Sequence, residues 1–153
     1  MEGVEAADPA GVEALALIAE LDAALQAITG DSGDSSFDPE DVRGPRAVFV
    51  IARDADGVAV GCGALRPLQP GVAELKRMYA RPGSGAGTRL LAALEERALA
   101  LGYEEMRLST RRVNARAVDF YRRHGYGDAP PWGKYVGNAV SVCLGRRLLS
   151  RRA

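Results

Sequence analysis

From residue 82 the chain reads Pro-Gly-Ser-Gly-Ala-Gly, between a strand-like run over 72–80 (VAELKRMYA) and a helix-like run over 88–101. Few folds accommodate such a junction. Glycine lacks a Cβ, so Gly83, Gly85 and Gly87 permit positive φ and let a ligand approach the backbone closely. The first amides of the following helix lack partners within the helix and, with the helix dipole, favour an anion in front of them. A pyrophosphate suits that position, and an ordinary tight turn explains the glycines equally well. Two phosphate motifs fail here. Gly87 is followed by Thr88-Arg89, not by the Lys-Ser/Thr of a Walker loop, and the G-x-G-x-G spacing does not match a dinucleotide fingerprint.

The flanking pattern predicts one α/β domain over 1–153. Asp8-Pro9 is expected to cap a helix with Val12, Leu15, Ala19 and Leu25 on its apolar face, Ile18, Leu21 and Ile28 nearby, and Gly30 as its stop. Residues 31–37 read as a loop, and Asp38-Pro39 as the start of a short second helix. Strands are expected over 47–52, 58–65 and 72–80, with Gly61 and Gly63 marking a bulge or a close backbone approach. The helix over 88–101 has Leu90, Leu91, Leu94, Ala98 and Leu101 on one face. A strand over 106–110, a helix over 115–124 and a last strand over 141–144 complete the order. Helices thus lead an antiparallel run that passes into a β-α-β unit.

Composition narrows the function classes. No apolar run approaches ~18 residues, and the acidic start MEGVEAAD lacks the basic-then-apolar order of a secretory signal. Two cysteines, Cys62 and Cys143, and one histidine, His124, make neither a disulfide framework nor a zinc site. The expectation is a reduced, cytoplasmic, metal-free protein. Net charge is zero, yet residues 1–75 carry 14 acidic and 4 basic side chains and residues 76–153 carry 6 and 16. The halves either meet different partners or attract each other. Nucleic-acid binding through Arg107, Arg111, Arg112, Arg116, Arg122 and Arg123 is disfavoured by overall neutrality and by the lack of an aromatic-basic face.

The order strand, glycine turn, helix, strand, helix ends in Asn114-Ala115-x-Ala117-x-x-Phe120-Tyr121-x-x-x-Gly125-Tyr126. In combination these features resemble the GNAT acetyltransferases, from roughly Val48 to the last strand. The resemblance implies a GNAT fold: a mixed, mostly antiparallel sheet, splayed at the cofactor site and flanked by helices. It also implies acetyl-CoA as cosubstrate, an amine acceptor, no metal, and a monomer or homodimer. By resemblance the cofactor would meet the backbone of Met78, Tyr79 and Ala80, the turn of Gly83, Ser84, Gly85, Ala86, Gly87 and Thr88, and the side chain of Asn114. One departure stands out. Pro82 occupies the place where this turn has an Arg or Gln, and the turn is about three residues short; Arg81 or Arg89 is the available substitute. The ending Pro130-Pro131-Trp132-Gly133-x-Tyr135 with Ser141-Val142-Cys143 is similar to a bacterial subgroup and supplies a loop that would wall the acceptor pocket or simply pack.

Amine acetylation needs a deprotonated nitrogen and a proton for the departing thiolate. An alkylamine has a pKa of about 10.4, so a base or water relay must act on it. Glu74 is the candidate base, the alternative being a strand carboxylate paired with a nearby lysine or arginine. Strand alternation puts Glu74, Lys76 and Met78 on one face and Leu75, Arg77 and Tyr79 on the other. Tyr121 is the candidate acid, since a phenol is protonated at neutral pH; the alternative is a packed aromatic. Asn114 reads equally as a helix cap. His124 and Cys143 are read as structural. The acidic connection with Asp31, Asp34, Asp38, Glu40 and Asp41 suggests a cationic amine, and a solvated loop explains it equally. The rival function is an acyl-CoA-binding protein of the same fold, catalytically weak or inactive.

Overall fold

The computed structural model describes residues 3–31 and 38–148. Among these, strands β1 (Gly3–Ala6), β2 (Val48–Arg53), β3 (Ala59–Gln69), β4 (Val72–Ala80), β5 (Glu105–Arg111), β6 (Gly127–Asp128) and β7 (Ser141–Arg147) form one sheet of order β1-β2-β3-β4-β5-β7-β6. Helices are α1 (Val12–Thr29), α2 (Ala86–Ala100) and α3 (Ala115–Arg123), with single 3-10 turns at Pro39–Val42 and Gly133–Tyr135. All strand pairs are antiparallel except β4 with β5, which α2 joins in parallel. This is the mixed, mostly antiparallel sheet with flanking helices that the resemblance implies.

Strand β2 is apolar on both faces because it is covered on both. Val50 and Ala52 pack in the cluster that contains Leu90, Leu91 and Leu94 of α2, and Phe49 and Ile51 in the one that contains Ala14 and Leu17 of α1. Glycine is required where α2 lies on β3. A Cβ on Gly61 would stand 2.8 Å from Leu90 Cδ1 and 2.7 Å from the Tyr79 carbonyl. One on Gly63 would stand 2.8 Å from Leu94 Cδ1. The expected close approach is thus real.

Three local expectations change. Gly11, not Asp8, is the N-cap of α1; Asp8 instead closes the preceding turn, with its Oδ1 accepting from Ala10 N at 2.9 Å. The buried stripe of α1 is Ala14, Leu17 and Leu21, whereas Val12 is 87% and Leu15 51% exposed. An alanine- and leucine-rich helix fits several phases of a helical pattern, so composition alone did not select the face. β1 went unread because its Gly-Val-Glu-Ala is too short and polar for a strand pattern; it completes the β2 edge. The stop at Gly30, φ 78°, and the Asp38-capped turn are as expected. Residues 32–37 of the expected loop, with Asp34, lie outside the described residues.

The two oppositely charged halves meet each other. Arg81 pairs with Glu20 at 2.7 Å, Arg111 with Asp31 at 2.9 Å, and Arg77 with Asp22.

Candidate active site

The sheet opens between β4 and β5. Their parallel pairing runs only from Val72–Glu105 to Glu74–Arg107. Past Glu74, among the described residues, β4 keeps β3 on one edge and has no strand on the other. A cavity of about 420 Å³ is lined there by residues of β4, β5, α1, α3 and the loop around Tyr135.

A bulge shapes the β4 wall. Cys62 faces Tyr79 while Ala64 faces Lys76, so β4 carries one extra residue against β3. Arg77 absorbs it at φ 54°, the left-handed region, and its carbonyl accepts from Cys62 Sγ at 3.4 Å. The strand alternation expected from sequence ends here. Met78 packs with the α2-side cluster that holds Leu75, and Tyr79 with the α1-side cluster. Arg77 reaches Asp22 of α1, and the Tyr79 hydroxyl donates to Glu20 Oε1 at 3.0 Å.

Glu74 and Tyr121 both line the cavity. Glu74 is 4% exposed, with Arg66 Nη1 at 3.1 Å and Lys76 Nζ at 3.9 Å. The paired-carboxylate alternative therefore describes its contacts, and its burial at the end of the β4–β5 pairing describes its site. Tyr121 is 8% exposed between Phe120, edge-on at 5.2 Å, and Tyr126 at 5.7 Å. Burial raises its pKa above the usual phenol value, so it is a protonated donor across neutral pH. The packed-aromatic alternative and the cavity position are thus combined in one side chain. Asn114 lines the same cavity and caps α3, accepting from Ala117 N at 3.4 Å.

The glycine turn has the conformation that its composition requires. Gly83 and Gly85 adopt φ 80° and 69°, and Gly85 caps α2 without any side-chain bond. A Cβ on either would meet nothing within 4 Å, so their role is backbone conformation, with open space in front. Gly87 is glycine for a different reason: its Cβ would lie 3.3 Å from the Phe120 ring, which ties α2 to α3. Ser84 Oγ accepts from Ala86 N at 3.3 Å. Thr88 Oγ1 lies 3.2 Å from His124 Nε2, and His124 Nδ1 lies 2.7 Å from the Phe120 carbonyl. A carbonyl only accepts, so Nδ1 carries a proton and, in the neutral ring, Nε2 accepts from Thr88. His124 thus braces the turn. No acidic residue lies in the first turn of α2, so the N-terminal end of this helix suits an anionic diphosphate.

Both arginines near the turn have partners within the fold. Arg81 is held by Glu20 on the α1 side, and Arg89 Nη1 donates to the Arg53 carbonyl at 3.2 Å. The cavity also includes residues that the sequence reading did not single out, among them Ser109, Lys134 and Asn138. Isolated serines and lysines carry no pattern that marks them. Tyr135 lines the cavity and packs edge-on to Trp132 at 5.5 Å, so the aromatic loop does wall it. Asp38 and Glu40 are taken up locally, by the cap of their own turn and by Arg43, and Asp31 alone of the described acidic connection lines the cavity. Among the described residues no group of three or more His, Cys, Asp or Glu could hold a metal ion, and no helix is long and apolar enough to cross a membrane.

Known proteins share this fold. An IAA acetyltransferase of Azospirillum brasilense is 32% identical over 136 residues, covering 86% of this chain and 88% of that protein. A Klebsiella pneumoniae structure assigned as an acyl-CoA N-acyltransferase superposes with TM-score 0.80 at 31% identity, over 97% and 99% of the two chains. A GNAT acetyltransferase of Elizabethkingia anophelis, solved with acetyl-CoA bound, shares the fold at TM-score 0.70 and 13% identity, over 96% and 98%. Residues 15–126 match the Acetyltransferase (GNAT) family, and the chain belongs to that family.

Proposed function

We propose that the protein transfers an acetyl group from acetyl-CoA to a primary amine by direct attack within a ternary complex. The observation that carries this reading is the opening between β4 and β5, with Glu74 and Tyr121 in its wall. The acetyl-CoA bound by the Elizabethkingia relative supports the choice of donor. The pyrophosphate would lie on the amides of Gly83 to Thr88, and the pantetheine arm would run along the open edge of Met78, Tyr79 and Ala80 in strand fashion. Asn114 would meet the arm from α3.

Glu74 would take the proton of the acceptor ammonium, directly or through water, so that the neutral nitrogen attacks the thioester carbonyl. The tetrahedral intermediate then collapses with cleavage of the carbon–sulfur bond. Tyr121 gives its proton to the departing thiolate, for which a buried neutral phenol is suited, and the second proton of the acylated nitrogen returns to the Tyr121 phenolate, directly or through water. Products are the acetamide and free CoA. The test is mass spectrometry of an amine panel incubated with protein and acetyl-CoA; an acetylated amine formed only with both supports the reading.

A second reading follows from the turn. Pro82 removes a cationic side chain, and Arg81 and Arg89 are engaged elsewhere. An acyl-CoA-binding protein with weak or no transfer would show calorimetric binding of acetyl-CoA and no amine-dependent thiol release.

A further inference from the structure

One carboxylate of α1 holds the open stretch of β4 at two places. Glu20 Oε1 accepts from the Tyr79 hydroxyl at 3.0 Å. Arg81 lays its guanidinium along both oxygens, with Nε 3.0 Å from Oε1 and Nη2 2.7 Å from Oε2. Tyr79 and Arg81 are two residues apart, hence on one face of an extended chain, and the carboxylate spans both. Between them Ala80 is paired with Gly61 of β3, and Arg81 N donates to the Val60 carbonyl at 2.8 Å. That ladder fixes one edge of the segment. Its other edge has no strand beside it among the described residues, and the bulge at Arg77 precedes it. The twist of the segment is therefore set from its face, by α1. Burial and the bond to Glu20 raise the Tyr79 pKa, so the phenol is a donor at neutral pH. The Arg81 bond lowers that of Glu20, so the carboxylate is charged there.

We infer that Glu20 is a positioning residue for the cofactor arm: it holds the backbone of Met78, Tyr79 and Ala80 in the extended form with which the pantetheine of acetyl-CoA would pair. This rests on the acetyl-CoA reading above. In this role Glu20 touches neither cofactor nor acceptor and acts through Tyr79 and Arg81. The sign of its effect separates the role from plain electrostatics. Glu20 is a negative charge on Arg81, which shortly precedes the glycine turn. On charge grounds alone, its removal frees Arg81 and tightens the binding of a phosphorylated ligand. Loss of a preformed strand edge has the opposite effect, because the arm must then order that edge as it binds.

The test uses the full chain and calorimetry with two probes, acetyl-CoA and adenosine 3′,5′-bisphosphate, which has phosphates but no pantetheine arm. Glu20→Ala removes the hold at a position where alanine favours the helix, and circular dichroism and the urea midpoint record that the fold is retained. The expected result is acetyl-CoA bound about fivefold more weakly, with the bisphosphate bound no more weakly than by the wild type. Glu20→Gln, whose carbonyl still accepts from both partners, recovers most of the affinity. In a Tyr79→Phe/Arg81→Met background, adding Glu20→Ala weakens binding no further. With an amine that is turned over, KM for acetyl-CoA rises by the same factor and kcat changes less than about twofold. Unchanged or tighter acetyl-CoA binding by Glu20→Ala overturns the inference and leaves acetyl transfer standing. Equal weakening of both probes also overturns it, since the effect then is not on the arm. Selective weakening in a protein that turns over no amine supports the inference and removes the transfer reading. Absence of acetyl-CoA binding by the wild type overturns both.

Discussion

Glu74 and Arg107 are the last directly opposed residues of β4 and β5, and the cavity opens where their pairing ends. A carboxylate at this step lies inside the fold yet lines the cavity in which the proposed substrates would meet. Glu74→Gln keeps the shape and removes the base. We expect kcat to fall roughly 10²-fold with little change in KM for acetyl-CoA. The variant should regain rate as pH rises toward the acceptor's own pKa, about 10.4 for an alkylamine. A pH series of thiol release checks both, and a wild-type-like rate at neutral pH removes Glu74 from the chemistry.

Gly85 caps α2 at φ 69° with open space before it. Asp and Asn both tolerate this conformation better than other side chains, so they separate charge from strain. Gly85→Asp should weaken acetyl-CoA binding by about tenfold through repulsion at the helix N-terminus, and Gly85→Asn should weaken it much less. Calorimetry on the two variants reads the difference directly.

The Arg77–Asp22 pair fastens the bulge of β4 to α1, with the Arg77 side chain 7% and the Asp22 side chain 23% exposed. Asp22→Asn leaves a buried guanidinium without that counter-charge. The expected cost is roughly 3 kcal/mol of folding stability, read as a lower urea midpoint at unchanged slope.

Burial holds the phenols of Tyr121 and Tyr126 above their ordinary pKa. In the unfolded chain both ionise near pH 10, so above that pH the unfolded state has released protons that the folded state retains. Stability from this source is therefore complete below about pH 10 and declines as pH rises toward the folded values. Thermal unfolding between pH 8 and 11 should show a falling Tm, with a shallower fall in Tyr121→Phe.

Cys62 is buried with its thiol pushed up to about 12 by desolvation. It should resist a thiol reagent at pH 8 in the native protein and react on unfolding. Fast labelling of Cys62 in the native state would contradict the packing described for the β4 bulge.

Much of this arrangement was legible because period-2 and helical patterns are local. The β4–turn–α2 junction announced itself by glycines whose φ values no other residue adopts easily, and Gly61 by the helix that presses on it. The alternation of β4 was misread because the bulge at Arg77 is fixed by register against β3 and by Asp22, both distant in sequence. Arg81 and Arg89 carried the right charge for the turn, but their partners Glu20 and the Arg53 carbonyl are chosen by tertiary packing. The cavity at Glu74 was hidden likewise, since Arg66 faces Glu74 across an antiparallel pair and Lys134 and Tyr135 line the cavity from a loop some sixty residues on.

The central claim is transfer of acetyl from acetyl-CoA to an amine with Tyr121 as proton donor. The most direct measurement is amine-dependent thiol release by the wild-type protein beside Tyr121→Phe, with acetyl-CoA binding recorded for both. The account predicts release that requires amine and falls at least about tenfold in the variant while acetyl-CoA still binds. Binding of acetyl-CoA by the wild-type protein with no release for any amine would contradict it.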